Sequence, residues 1–116
     1  MSQLSSRFTN SIIAHMRQGT SHNTFYLHGL IDQLTIDEVK DISIKCEDGN
    51  LDNFMNDEKT ELVISDVEDF RSSVLGCLDE LKGDNELESV FIQMGDDRLS
   101  QISDIVKTSY LEQFQG

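Results

Sequence analysis

The apolar residues between positions 65 and 114 recur at helical spacing in three successive runs, each with its own start and stop signal. In the first, Val67, Phe70, Val74, Cys77, Leu78 and Leu81 form one stripe, the i, i+3, i+4 repetition that a buried helix face needs. Ser65 followed three residues later by Glu68 is a capping-box pattern, and Gly83 stands where a left-handed C-terminal residue would end the helix. Leu87, Val90, Phe91 and Met94 make a shorter second run, opened by Asn85 with Glu88 and closed by Gly95. A third opens at Asp96 or Asp97 and carries Leu99, Ile102, Ile105, Val106, Tyr110, Leu111 and Phe114.

The N-terminal half is patterned less uniformly. Leu4, Phe8, Ile12, Ile13 and Met16 share one side of a helix over residues 4–18, with Ser5 or Ser6 as cap and Gly19 as stop. This acid-poor, Ser-rich, Arg-bearing stretch also has the character of an amphipathic targeting helix, although a first helix docked on the rest of the chain needs the same stripe. Leu27, Leu30, Ile31 and Leu34 suggest a short second helix capped by Asn23 or Thr24. Thr35 with Glu38 is a further capping box, opening a segment that contains Ile36, Val39 and Ile42, with Gly49 as its stop. Here two periods compete, because Ile42, Ile44 and Cys46 also alternate as they would in a half-buried strand. Leu51, Phe54 and Met55 can make one turn of helix, and Leu62, Val63 and Ile64 are a short apolar run. The expectation is an all-α, compact single-domain helical bundle of about five to six helices spanning 1–116, its N-terminal helix docked on a body over 24–114. The alternative is an α+β fold with a small hairpin from residues 42–46 and 62–64.

Composition supports the helical choice. The 116-residue chain has no proline, so no ring clash or missing N–H interrupts a helix. Its mean hydropathy of −0.37 is low, yet the apolar residues are periodic rather than scattered, which separates it from disordered chains. Cys46 and Cys77 lie on separate elements without CxxC or Cys/His spacing. They read as small buried apolar residues in a reducing compartment, with a disulfide between them as the minor alternative. No apolar run approaches the length of a membrane span and no secretory signal opens the chain, so a cytoplasmic protein is expected.

Charge is the strongest global feature. There are 22 acidic against 9 basic side chains, a formal net charge of −13. Residues 1–31 contain only Arg7 and Arg17, for +2, whereas residues 32–116 hold all 22 acids and the other seven bases, for −15. Direct nucleic-acid binding is disfavoured, because affinity for phosphates comes mainly from Lys and Arg. A basic protein partner is what such a surface attracts.

Candidate chemistry is sparse. The acid-rich segments 47–52 and 82–86 miss the register of a calcium-binding EF-hand loop, since their glycines fall too early. His15, His22 and His28 show no spacing for a metal site, no nucleophile signature such as G-x-S-x-G is present, and no cofactor is implied. The reading is therefore non-enzymatic. Glu68, Asp69, Asp79, Glu80, Asp84, Glu86, Glu88, Asp96 and Asp97 gather against Arg71 and Lys82, which makes them the candidate partner-binding residues. In size, charge and helicity the chain resembles phage anti-restriction and anti-CRISPR proteins and nuclease immunity proteins. That resemblance implies an inhibitor that occupies a basic, nucleic-acid-handling surface by charge mimicry. The other reading is an acidic adaptor or secretion-type chaperone, in which Phe8, Ile12 and Met16 form a dimer contact or a groove for a partner helix.

Overall fold

The computed structural model describes residues 3–18, 21–46, 51–83 and 86–115. The chain is all-α, as its periodicity predicts. Six α-helices are present among the described residues: α1 (Gln3–Gln18), α2 (Ser21–Asp32), α3 (Ile36–Lys45), α4 (Val67–Leu81), α5 (Glu86–Met94) and α6 (Asp96–Gln115), with a 3-10 turn at Leu51–Phe54. They fall into two compact units, one built from residues 1–33 and 91–116, the other from residues 34–90.

In the first unit α1, α2 and α6 pack on one another. Helix α1 starts ahead of Ser5 and Ser6, so neither is its cap; Ser5 is buried, and its carbonyl accepts the Thr9 hydroxyl at 2.7 Å. Phe8 and Ile12 are buried, and the Phe8 ring meets Phe91 edge-on at 4.8 Å, a geometry in which a positive ring edge faces a negative ring face. Helix α2 begins at Ser21, before the Asn23 and Thr24 expected as caps, and buries Tyr26, Leu27, Leu30 and Ile31. Phe25 points outward, and Leu34 lies beyond the helix end. Leu99, Ile102 and Val106 supply the buried stripe of α6, while Ile105 sits at its margin. The side chains of Tyr110, Leu111 and Phe114 lie outside the described residues. Gly95, at φ +86°, separates α5 from α6, as expected of a residue whose missing Cβ permits a left-handed backbone.

In the second unit α3, the 3-10 turn and α4 pack together. The competition between helix and strand at residues 36–46 resolves to helix. Glu38 N–H donates to the Thr35 hydroxyl oxygen at 3.3 Å, and Thr35 N–H donates to the Glu38 carboxylate at 2.8 Å, closing the capping box reciprocally. Val39 and Ile42 point inward whereas Ile44 is 82% exposed; a strand would have put Ile42 and Ile44 on the same face. The helix ends at Cys46, in extended conformation, and not at Gly49, which lies outside the described residues.

Leu51, Phe54 and Met55 are all buried, and Phe54 meets the Phe70 ring edge-on at 5.2 Å. Leu62 forms a single antiparallel bridge with Met55, so the partner expected for residues 62–64 is not 42–46. The loop between these bridge residues is organised by Asn56. Its carbonyl oxygen accepts from Thr60 N–H at 2.8 Å and Glu61 N–H at 3.2 Å, and its amide donates to the Thr60 hydroxyl at 2.9 Å.

Helix α4 buries Phe70, Val74, Cys77, Leu78 and Leu81, but its start is shifted by one residue from the sequence expectation. Asp66, not Ser65, is the N-cap, with its carboxylate accepting from Asp69 N–H at 3.2 Å. Val67 thereby becomes the first helical residue and faces out, 49% exposed. Lys82 ends the helix, and Gly83 does not take the left-handed backbone expected of it. The cap expected at Asn85 lies outside the described residues.

Candidate partner-binding surface

Capping and the helix macrodipole explain where many of the acids stand. Glu68 and Asp69 occupy the first turn of α4, Glu86 and Glu88 that of α5, and Asp96 and Asp97 that of α6, positions where a negative charge meets unsatisfied N–H groups and is stabilised. Asp79 and Glu80 lie in the last turn of α4, where the dipole disfavours them. Glu68 and Asp79, like Asp69 and Glu80, are eleven residues apart, close to three full turns. Each pair therefore shares a side of α4 at a separation of about 16 Å.

The environments of these carboxylates differ. Glu68 accepts from Arg71 at 2.9 Å, and Asp79 pairs with Lys82. Glu80 is half-buried and accepts the Cys46 thiol at 3.1 Å. Asp69 and Glu86 are exposed, Glu88 is half-buried, and Asp84 lies outside the described residues. Asp96 and Asp97 are exposed and belong to the first unit, where the neighbouring Arg98 turns to the carbonyl of Gln33.

The boundary of the charge asymmetry follows the units rather than position 32. Residues 34–90 hold 17 acids and 5 bases, for −12, whereas residues 1–33 and 91–116 together hold 5 acids and 4 bases, for −1. Four cations of the acidic unit engage carboxylates of their own unit: Lys45 with Asp41 at 3.1 Å, Lys59 with Asp52 at 3.2 Å, Arg71 with Glu68 and Lys82 with Asp79. Lys45 and Asp41 are largely buried, whereas each of the other pairs has an exposed carboxylate and contributes little to stability; together they leave the unit's net charge at −12. Acids outside the expected set join the same unit. Asp57 and Glu58 are exposed in the loop that Asn56 organises, and Asp37, Glu61 and Asp66 are exposed as well. In the sequence that loop is an Asn followed by two acids and a Lys, residue types that turns favour at the Asn and Asp positions.

Phe8 and Ile12 are buried, so the fold leaves neither side chain open to a second chain or a partner helix; Met16 is half-buried. His15 stacks on Tyr26 with ring centroids 3.9 Å apart and planes 17° apart. Burial raises the Tyr26 hydroxyl above its ordinary pKa, opposed by a hydrogen bond with Ser11. That accounts for His15 as a packed residue. Among the described residues no three His, Cys, Asp or Glu side chains converge as a metal site would require, and no helix is long and apolar enough to cross a membrane. Comparison with protein-family models, with curated proteins and with solved structures finds no match.

Proposed function

We propose that the protein is a non-enzymatic inhibitor whose acidic unit, residues 34–90, occupies the basic, nucleic-acid-handling surface of a partner protein in place of nucleic acid, in the manner of anti-restriction, anti-CRISPR or immunity proteins. The observation that supports this reading is the concentration of −12 of the chain's −13 charges in 57 contiguous residues. A capped helix and a hydrogen-bonded loop hold exposed carboxylates of that unit in defined positions. Charge held in this way steers a basic partner and disfavours nucleic acid itself.

The test is inhibition of duplex-DNA cleavage across a panel of nucleases and restriction enzymes. Inhibition of a sensitive enzyme should be relieved by competing duplex DNA and by raising salt from about 50 to about 300 mM. Neutralising Asp57 and Glu58 together as the amides should weaken it roughly fivefold, taking about 0.5 kcal/mol for each exposed ion pair. Inhibition indifferent to salt and to the double variant, or no inhibition across the panel, would refute the reading.

A further inference from the structure

The short ladder between residues 54–56 and 61–63 has one unpaired edge. Val63 N–H donates to the Phe54 carbonyl at 2.7 Å and Asn56 N–H to the Glu61 carbonyl at 3.0 Å, on either side of the bridge between Met55 and Leu62. In an antiparallel pair these bonds turn the N–H and carbonyl of the bridged residues away from each other, so those of Leu62 point off the ladder. Alternation along an extended chain turns those of Ile64 the same way. Among the described residues these groups of Leu62 and Ile64 have no hydrogen-bond partner. No residue of 61–69 is buried, and Val63 is 57% exposed, so the unpaired groups lie at the surface, where water stands in for a partner. Such an edge is a template for one more strand.

Charge selects the strand. Residues 57–69 hold six acids and one base, Lys59, which pairs with Asp52. Asp57, Glu58 and Glu61 stand exposed before the edge, and Asp66 and Asp69 after it. A second copy of the chain would set like charges against these acids and is repelled, whereas a cationic segment is attracted. We propose that residues 62–64 bind an extended, basic segment of the partner protein as an added antiparallel β-strand. The inference rests on the charge-mimicry reading for the partner's positive charge, and it names the element of that partner that docks.

The pleat dictates the pattern of the segment. Leu62 and Ile64 exchange both main-chain bonds with the residues opposite them, the antiparallel arrangement being the more stable per residue. Glu61 and Val63 project from the other face of the strand. The added strand therefore sets a Lys or Arg beside Glu61 and, two residues earlier in its own sequence, an apolar β-branched residue beside Val63.

The probe is the N-acetylated, C-amidated peptide Lys-Thr-Lys-Thr-Val-Thr-Lys-Thr-Lys, titrated into the isotope-labelled full-length protein and followed by amide NMR. The Leu62 and Ile64 amide signals should shift most, and their hydrogen exchange should slow at least about tenfold at saturation. N-methylating the two threonines that flank the valine removes the donors facing the edge and should weaken binding at least about tenfold. N-methylating the valine, whose N–H points away from the edge, should leave affinity within about threefold. Exchanging the lysines for glutamates should abolish binding. The proposal is overturned if the lysine peptide does not bind, if it binds with Leu62 and Ile64 unmoved, or if the two N-methylated peptides bind alike. Movement of the edge amides with protein concentration alone gives the edge to a second copy and overturns it equally. Salt-sensitive nuclease inhibition without strand addition would sink this inference and leave the charge-mimicry reading standing; strand addition without inhibition of any nuclease would do the reverse.

Discussion

Replacing Asp66 by alanine isolates the cap that the structure assigns to α4. The Asp66 carboxylate accepts from Asp69 N–H at 3.2 Å, and losing an N-cap of this kind costs about 1 kcal/mol. A second contribution acts in the same direction, because a negative charge at the start of a 15-residue helix is stabilised by the dipole by about 0.3 kcal/mol or more. A third opposes it: removing one acid from a unit of net charge −12 relieves repulsion, by a few tenths of a kcal/mol at an exposed position (~0.3). The sum remains near 1 kcal/mol, which for a chain of this length lowers Tm by about 4 °C. Asp66→Asn separates the contributions, since the amide oxygen still caps while the charge is gone, and it should lie within about 0.5 kcal/mol of wild type. Ser65→Ala should do no more than an ordinary surface substitution, within about 0.5 kcal/mol. Urea and thermal denaturation followed by circular dichroism measure all three. If Ser65→Ala destabilises as much as Asp66→Ala, or if Asp66→Ala is silent, the assignment of the cap is wrong.

Other perturbations test other parts of the fold. Phe8→Ala removes a ring that is 5% exposed and set against Phe91, and should cost about 3–5 kcal/mol. Its lowered Tm should not vary with protein concentration, whereas a Tm that rises with concentration in the wild type and not in the variant would mean that Phe8 serves a dimer. Gly95→Ala forces a Cβ onto φ +86° with no atom within 4 Å to clash, so its cost is the backbone's alone, about 1–2 kcal/mol. Gly76→Ala, in the exposed interior of α4 and equally free of neighbours, should stabilise by about 0.5–1 kcal/mol. Denaturation midpoints that move these two glycine variants in the same direction would contradict the backbone geometry.

Legibility in the sequence tracked how local each determinant is. The Thr35 and Glu38 box closes within four residues, and it decided correctly against the alternating Ile42, Ile44 and Cys46. Gly95 was readable for the same reason, because two apolar runs meet at a single left-handed residue. The start of α4 was ambiguous in principle. Ser65 with Glu68 and Asp66 with Asp69 are two overlapping patterns of equal spacing, and the structure takes the second. The pairing of Leu62 with Met55 depends on a loop closed by the Asn56 side chain, and the hydrogen bond from the Cys46 thiol to Glu80 depends on how α3 lies on α4. Neither is written in a window short enough to read. The division into units was hidden by α5, a continuous helix through which the boundary between Val90 and Phe91 passes.

That division changes which acids bear on a partner. Most carboxylates of the expected set have a reason to exist inside the chain: Glu68, Asp69, Glu86 and Glu88 sit on positive helix ends. Asp79 and Glu80 do not, but Lys82 answers the first and the Cys46 thiol the second. Asp57 and Glu58 have no helix end beneath them and stand exposed, in a loop that the Asn56 side chain holds in place. Neutralising acids on helix ends confounds binding with stability, because the cap or dipole is lost along with the charge. At Asp57 and Glu58 the two effects part company: removing like charges from a −12 unit favours folding, so any loss of inhibition there belongs to the partner. The loop is thus where the mimicry reading is most exposed to refutation.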